Sequence, residues 1–258
     1  MTKCFLSVLL LFASPTIATI TKVQSNATWG TPNTPTCSVP LSTTTHQNLL
    51  VVWAAWSPST LKVSKVVDNT NTTPFPSAVG PTMQSASNTA AQIFYQNNIN
   101  AASNPDNVVV TFNGMATTAS CVAVEYSGAD LNYPLDSVSA GYSTSGNATS
   151  LLDSGAVAPA NSNLLVFAGG VSDGGAATPG ANFTSIQSHN FSSGTAITEQ
   201  NTNAITGNNV LQRATACLGT GPTCPATPIG NWLMQMAVFR DASSMGGPPL
   251  KVKILNNR

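Results

Sequence analysis

The sequence predicts an all-β protein, built as an antiparallel sandwich or barrel. Two observations carry this prediction. Short runs rich in β-branched and aromatic residues recur along the chain, separated by clusters of Gly, Pro, Asn, Ser and Thr that favour turns. Apolar residues almost nowhere recur at the helical spacing of three to four residues. About fifteen short strands with frequent turns are typical of sandwiches and barrels.

The clearest predicted strands are Asn48–Trp56, Leu61–Asp68, Ala91–Gln96, Asn107–Asn113, Cys121–Tyr126, Asn163–Ala168, Phe183–Gln187, Thr195–Gln200, Val210–Cys217 and Trp232–Arg240. Weaker strand patterns lie at Thr21–Trp29, Cys37–Thr43, Pro76–Met83, Ser137–Ser143 and Leu151–Val157. The strands Asn48–Trp56 and Trp232–Arg240 are apolar at both alternating sets of positions. We expect each of these two to be buried on both faces or to lie under long loops.

A weak internal echo suggests two related halves. The tetrapeptide Asn48–Val51 recurs as Asn163–Val166, and Val122–Val124 is echoed by Met236–Val238. The two offsets, 163 − 48 = 115 and 236 − 122 = 114, are nearly equal. Chance similarity between apolar strands is the alternative explanation.

Charge is scarce, with 9 Lys+Arg and 9 Asp+Glu among 258 residues, or 7%, where about 25% is usual. Instead the chain has 32 Thr, 28 Ser and 25 Asn. No basic excess is present to neutralise phosphates, so we expect no nucleic-acid partner. Few side chains are suited to acid–base or metal chemistry, and we expect no cofactor, no metal and no catalytic residue.

The amino terminus predicts a signal peptide over residues 1–18. Lys3 supplies a positive start, and Cys4–Ala13 forms an apolar stretch that is too short to span a bilayer. Small residues precede an expected cleavage after Ala18; an uncleaved anchor is the alternative. After cleavage we expect no membrane span and a secreted or cell-surface location.

The remaining chain predicts one domain over residues 19–243. This domain has five bases and nine acids, so it is mildly acidic. Residues 244–258 begin with a Gly/Pro-rich run, which favours a linker, and end in a basic tail.

Four cysteines remain after cleavage, and an even number in an exported chain indicates two disulfides. Three pairings are open. Cys217 and Cys224 flank a short Gly/Pro loop, so this pair is the favoured bridge, with Cys37–Cys121 as the remainder. A zinc site is the rival interpretation, but the cysteine spacing does not match one.

Four local patterns resemble those of uncharacterised secreted bacterial jelly-roll modules of the concanavalin-A-like type. They are Asn48–Val52, Ala78–Thr82, Val124–Gly128 and Trp232–Arg240, and they span most of the mature chain. The resemblance implies an antiparallel two-sheet jelly-roll sandwich. The broader superfamily includes lectins, polysaccharide-binding modules, glycosidases and lyases. No catalytic signature of these proteins is present here, so no activity carries over.

Glycan binding uses aromatic faces with amides and hydroxyls nearby. Trp29, Trp56, Tyr133 and Tyr142 stand at predicted strand ends or in loops among Asn and Ser, and are the candidate ligand-binding residues. They could instead cap the ends of the sandwich.

Two acidic features have structural alternatives. Glu125 lies in an apolar strand and could be the catalytic acid of a glycosidase, but nothing in the sequence places the second carboxylate that such an enzyme needs beside it. The favoured interpretation is structural: either the strand end is solvated, or the buried carboxylate has a partner, for which Arg240 is the candidate. Asp130, Asn132 and Asp136 place three oxygen side chains in one loop, as calcium prefers, although such residues are also ordinary turn formers.

The sequence therefore favours an exported, non-enzymatic surface-interaction module that binds a glycan or extracellular matrix. One alternative is a carbohydrate-active enzyme, a glycosidase or lyase, on the same sandwich. Another is a structural subunit of a surface layer or filament. The sequence leaves the oligomeric state open.

Overall fold

A computed structural model of the chain describes residues 19–143, 149–192, 194–202, 210–219, 224 and 230–243. The described residues form fourteen strands, and all of the strand pairings are antiparallel. The all-β prediction is confirmed, while the jelly-roll connectivity stays a prediction. The described part of the chain contains no helix that is long and apolar enough to cross a membrane. The predicted signal peptide and the carboxyl-terminal linker lie outside the described residues.

The first half of the molecule contains strands β1 (Thr21–Leu41), β2 (Leu49–Ser57), β3 (Val63–Val67), β4 (Ser77–Gln84), β5 (Thr89–Gln96) and β6 (Asp106–Ser127). The second half contains β7 (Leu135–Tyr142), β8 (Leu151–Val157), β9 (Leu164–Ser172), β10 (Ala177–Pro179), β11 (Thr184–Phe191), β12 (Gly194–Asn201), β13 (Gln212–Leu218) and β14 (Trp232–Arg240).

Two long strands differ from the sequence prediction. The weak strands predicted on either side of Gly30 are one bent strand, β1, and the two predicted on either side of Gly114 are one strand, β6. Gly30 adopts a left-handed backbone conformation, with φ of 60°, within the register shift between Thr28 and Thr31, and Asn33, with φ of 45°, precedes the shift between Thr34 and Thr36. The two strands stay paired through these bulges, which bend a sheet without ending it.

The two halves repeat one strand order. In the first half, a sheet runs β1-β6-β2-β5-β4, and β3 pairs with the early part of β6. In the second half, the five-stranded sheet runs β7-β14-β9-β12-β11, and a separate three-stranded sheet runs β8-β13-β10. By position, the bent strand β1 corresponds to β7 and β8 together, and the bent strand β6 corresponds to β13 and β14 together.

The sequence echo matches the pairing register of the two halves but not their faces. Val51 pairs with Val124 across β2 and β6, and the echoed Val166 pairs with Val238 across β9 and β14. However, Val51 faces the other half, whereas Val166 faces the three-stranded sheet of its own half. A shift of one residue along a strand exchanges its faces. Residues that match in the sequence echo are therefore one position away from the residues that occupy equivalent places in the two halves.

Three apolar cores separate four layers. The first-half core lies between the five-stranded part of the first sheet and a small layer made by β3 and the distal parts of β1 and β6. The interhalf core lies between the two five-stranded layers. The second-half core lies between β9 and β14 on one side and β8 and β13 on the other. This stacking confirms that β2 and β14 are buried on both faces.

Both predicted disulfides are present. Cys37 and Cys121 have Cα atoms 6.2 Å apart, and Cys217 and Cys224 have Cα atoms 5.0 Å apart. The first bridge joins Cys37, near the end of β1, to Cys121, in the late part of β6, and crosses the first-half core. The second joins Cys217, on β13, to Cys224, seven residues further along the chain.

Candidate functional site

A cleft of about 580 Å³ opens between the two halves, where the central strands β2 and β9 end. Its volume lies within the range of small-molecule sites, roughly 300–1,000 Å³. Trp56 and Ser57 bring the end of β2 to its wall, and Ser172 and Asp173 bring the end of β9 to it. The cleft exists because two sheets stacked face to face leave a gap where their strand ends diverge.

Hydroxyl groups dominate the polar lining of the cleft. They belong to Ser57, Ser87, Thr89, Thr118, Ser120, Ser172 and Ser192. A hydroxyl can both donate and accept a hydrogen bond. Among the described residues that line the cleft, Asp173 supplies the one charged side chain.

Asp173 is held by reciprocal hydrogen bonds with Asn231, the residue that precedes β14. The backbone N–H of Asn231 donates to Asp173 Oδ1 at 2.6 Å, and its Nδ2 donates to Oδ2 at 2.9 Å. The backbone N–H of Asp173 donates to the Asn231 carbonyl at 3.1 Å. The carboxylate is exposed, and an ionised carboxylate has about four acceptor positions. Two of these remain after the Asn231 bonds.

Ser172 and Ser120 differ in their hydrogen bonding. Ser172 Oγ donates to the Asn231 carbonyl at 2.8 Å and accepts from the Gly174 N–H at 2.9 Å, so it supports the turn after β9. Ser120 Oγ accepts from the Gly30 N–H at 3.0 Å. Because that bond uses the oxygen as acceptor, the Ser120 hydroxyl proton is available to a bound molecule.

One wall of the cleft is aromatic. Phe191 lines it, and its ring contacts Trp29 and His189 edge to face, with centroid separations of 6.5 and 4.7 Å. Trp29 stacks on His189 at 5.7 Å. Gly30 allows this approach: a Cβ there would lie 3.2 Å from Phe191 Cε1.

The four predicted aromatic residues have different environments. Trp29 packs against the Phe191 ring but does not itself line the cleft. Trp56 is only 1% exposed, packs in the first-half core and donates from Nε1 to the Leu61 carbonyl at 3.1 Å. Its ring therefore cannot serve as a surface platform. Because β2 is apolar and buried on both faces, Trp56 at its end is buried as well. Trp53 and Trp232, predicted to be core residues, are buried.

Tyr142 and Tyr133 are 54% and 50% exposed, but at different ends of the molecule. Tyr142 pairs with Leu233, next to the Trp232–Ser172 pair at the cleft end of β14. Tyr133 follows the other end of β6, where Tyr126 pairs with Leu49. The structure therefore does not bring the four predicted residues into one site.

The predicted Glu125–Arg240 ion pair is wrong. Glu125 is buried and accepts hydrogen bonds from Gln24 Nε2 at 2.6 Å, the Thr45 N–H at 2.8 Å and Asn48 Nδ2 at 2.6 Å. Arg240 Nε instead lies 3.1 Å from Asp130 Oδ2. Neutral amide donors satisfy the buried carboxylate in place of a cation.

The acids predicted as calcium ligands are held by separate hydrogen bonds: Asp130 closes its own turn, and Asp136 bonds to the segment before β9. Asp130 Oδ1 accepts from the N–H groups of Asn132 and Tyr133, at 2.8 and 3.1 Å. Asp136 accepts from the Ala160 N–H at 3.0 Å and from Asn161 Nδ2 at 2.5 Å. Within the described ranges, no group of three or more His, Cys, Asp or Glu side chains is arranged to hold a metal ion.

Glu199, on β12, is a second buried acid, remote from the cleft lining. Its Oε2 accepts from the Gly180 N–H at 3.0 Å, whereas Oε1 has no hydrogen-bond partner among the described residues. Burial disfavours the charged form and raises the pKa of Glu199 to about 8, against the opposing effect of the Gly180 bond.

Sequence reasoning missed Asp173, Ser120 and Phe191. The segment Ser172–Gly175 directly follows an apolar strand, which marks a turn at a strand end. Nothing local indicates that this turn lines the same cleft as Ser120 and Phe191, since that depends on how the halves stack.

No protein-family model matches the chain, and no curated protein or solved structure matches it either.

Proposed function

We propose that the protein is an exported, non-enzymatic interaction module that binds a glycan in the interhalf cleft. The observation that carries the proposal is the lining of that cleft, which combines hydroxyl groups, one carboxylate and an aromatic wall. Saccharides present hydroxyls that donate and accept, together with apolar C–H faces that pack on aromatic rings. The two disulfides support an oxidising compartment.

Both halves contribute to the cleft, so a ligand there would contact both five-stranded layers. Ser57, Thr89 and Ser120 come from the first half, and Ser172, Asp173 and Phe191 come from the second. Residues held by two packed sheets are more rigid than residues on a free loop. Such rigidity lowers the entropic cost of binding.

A glycan array, followed by calorimetry on the bound glycans, tests the proposal. We expect binding to fall at least tenfold in Phe191→Ala, because the variant removes an aromatic wall of the cleft. Tyr133→Ala is the matched control: it removes an equally prominent exposed ring at the opposite end. Binding lost equally in both variants, or absent from every glycan tested, would overturn the proposal.

A reducing-sugar assay on the same glycans separates binding from hydrolysis. A module returns the glycan unchanged. Turnover that disappears in Asp173→Asn would instead favour the carbohydrate-active alternative.

A further inference from the structure

We propose that the interhalf cleft selects neutral oligosaccharides and rejects acidic ones, with Asp173 as the discriminating group. This inference rests on the proposed glycan function and adds the ligand class. The cleft is lined by seven hydroxyl side chains and one carboxylate among its described residues. None of the bases in the described ranges belongs to this lining.

The positive charges of the described residues lie elsewhere. Arg213 forms an ion pair with Asp153 on the three-stranded sheet, and Arg240 lies 3.1 Å from Asp130. Lys22 pairs in register with Tyr126, at the end of β6 away from the cleft, and Lys65 lies on β3. An acidic sugar entering the cleft would therefore meet a like charge with no lysine or arginine of the described lining to offset it.

Asp173 is suited to accept hydrogen bonds from neutral sugar hydroxyls. Asn231 fixes the carboxylate through both oxygens, at 2.6 and 2.9 Å, and leaves two acceptor positions open. Two adjacent hydroxyls of one sugar ring can donate to these positions. Bonds to an ionised acceptor are the stronger class of hydrogen bond, so Asp173 would add affinity for a neutral ligand.

Ser120 complements Asp173 from the opposite half. It lies on β6, is buried, and accepts from the Gly30 N–H at 3.0 Å, which leaves its hydroxyl able to donate to a ligand acceptor. An acceptor at Asp173 and a donor at Ser120 match the mixed hydrogen-bonding groups of a neutral saccharide. Phe191, which lines the same cleft, adds an apolar contact.

Calorimetry with matched tetrasaccharides tests the inference. The probes are neutral tetrasaccharides of glucose, mannose and xylose, and tetragalacturonate as the acidic probe of equal length. We expect at least one neutral probe to bind and tetragalacturonate to bind at least tenfold more weakly. The gap should narrow in 0.5 M salt, because salt screens the repulsion.

Asp173→Asn provides the decisive variant. We expect its affinity for the neutral probe to fall roughly tenfold or more, the range for a lost bond to a charged group, and the neutral-to-acidic ratio to shrink. Asp153→Asn is the charge-matched control, since it removes one negative charge from a surface that does not line the cleft. Thermal unfolding of each variant confirms that it is folded.

Three outcomes would overturn the inference. Stronger binding of tetragalacturonate than of the neutral probes would reject the ligand class while leaving glycan binding intact. Neutral binding that is lost in Phe191→Ala but unchanged in Asp173→Asn would reject the role of Asp173. Failure of every glycan, on the array and by calorimetry, would reject the proposed function together with this inference.

Discussion

Two buried carboxylates show how differently this fold treats an acid. Glu125 accepts from two side-chain amides and one backbone amide, so its charge is well solvated by the protein. Glu199 accepts one hydrogen bond at Oε2, from the Gly180 N–H, and its Oε1 has no partner among the described residues. Glu125 lies in an apolar part of β6, whereas Glu199 lies between Thr198 and Gln200 in β12. The donors to Glu125 come from β1 and from the turn before β2, and the donor to Glu199 comes from the segment between β10 and β11.

Because Glu199 is buried, we expect the free energy of unfolding to fall as the pH rises. Its folded pKa of about 8 lies above the ordinary 4.5. The folded state therefore holds a proton that the unfolded state has released at intermediate pH. This contribution is complete below pH 4.5, declines as the pH rises to about 8 and is flat above it. The total is of the order of a few kcal/mol.

Urea unfolding of the wild type and of Glu199→Gln at pH 5 and at pH 8.5 measures this contribution. We expect the variant to lose most of the difference between the two pH values. Asp153→Asn, in an ion pair on the surface, should keep the wild-type difference. Equal pH dependence in the wild type and Glu199→Gln would contradict the prediction.

At the scale of elements, the bent strands β1 and β6 build two layers from one ribbon. Their early and late parts pair with each other on both sides of the bend, from Thr21–Ser127 to Leu41–Asp106. The Cys37–Cys121 bridge then ties the two layers together inside the first-half core. The second half achieves the same order with separate strands, β7 and β8 against β13 and β14.

The two disulfides should therefore contribute unequally to stability. The Cys37–Cys121 bridge spans 84 residues, and the Cys217–Cys224 bridge spans 7. The loop-entropy relation assigns them roughly 4–5 and 2–3 kcal/mol. We expect Cys37→Ala with Cys121→Ala to lower the free energy of unfolding by more than Cys217→Ala with Cys224→Ala. Denaturant titrations compare the two, and a larger loss for the short bridge would contradict the expectation.

At the scale of the whole molecule, polar side chains cross the apolar interface between the halves. Gln235 Nε2 donates to Thr82 Oγ1 and to the Ala91 carbonyl, both at 2.8 Å, and Tyr126 Oη donates to Gln200 Oε1 at 2.8 Å. Such bonds are directional, whereas hydrophobic contacts are not. They therefore set how one half sits on the other, and with it the shape of the cleft.

Trp53 packs tightly against Gly169 across the interface between the halves. A Cβ at Gly169 would lie 2.5 Å from Nε1 and 2.7 Å from Cγ of the buried indole. We expect Gly169→Ala to lower the free energy of unfolding by about 1–3 kcal/mol, as overpacking does. Gly175→Ala is the matched control, because a Cβ there would meet no atom within 4 Å.

Denaturant unfolding of the two glycine variants, followed by the ligand affinity of each, tests whether the interface shapes the cleft. The Gly169 variant should also bind the cleft ligand more weakly, since the halves must separate to admit the methyl group. A Gly169 variant as stable as the Gly175 variant would show that the interface tolerates the added volume.

The sequence predicted most of the strands, the Cys217–Cys224 bridge and the burial of β2 and β14 on two faces, because each depends on local composition and spacing. The Cys37–Cys121 bridge followed only as the remaining pair, and the short strand β10 was not predicted. The sequence prediction failed where neighbours in space decide. The partner of Glu125 is a set of amides contributed by β1 and by the turn before β2, which no spacing along the chain indicates. The breaks predicted near Gly30 and Gly114 are bends within strands, because pairing continues across them.

Apolar alternation and turn residues were sufficient to determine an all-β chain, since the period of two and the backbone preferences are properties of neighbouring residues. Only the tertiary structure decided that the two halves repeat one strand order and stack through a third core. The candidate site, too, was decided by the tertiary structure alone. Asp173 and Ser120 line the same interhalf cleft because two sheets pack face to face, and such packing is set by contacts between residues far apart in the chain.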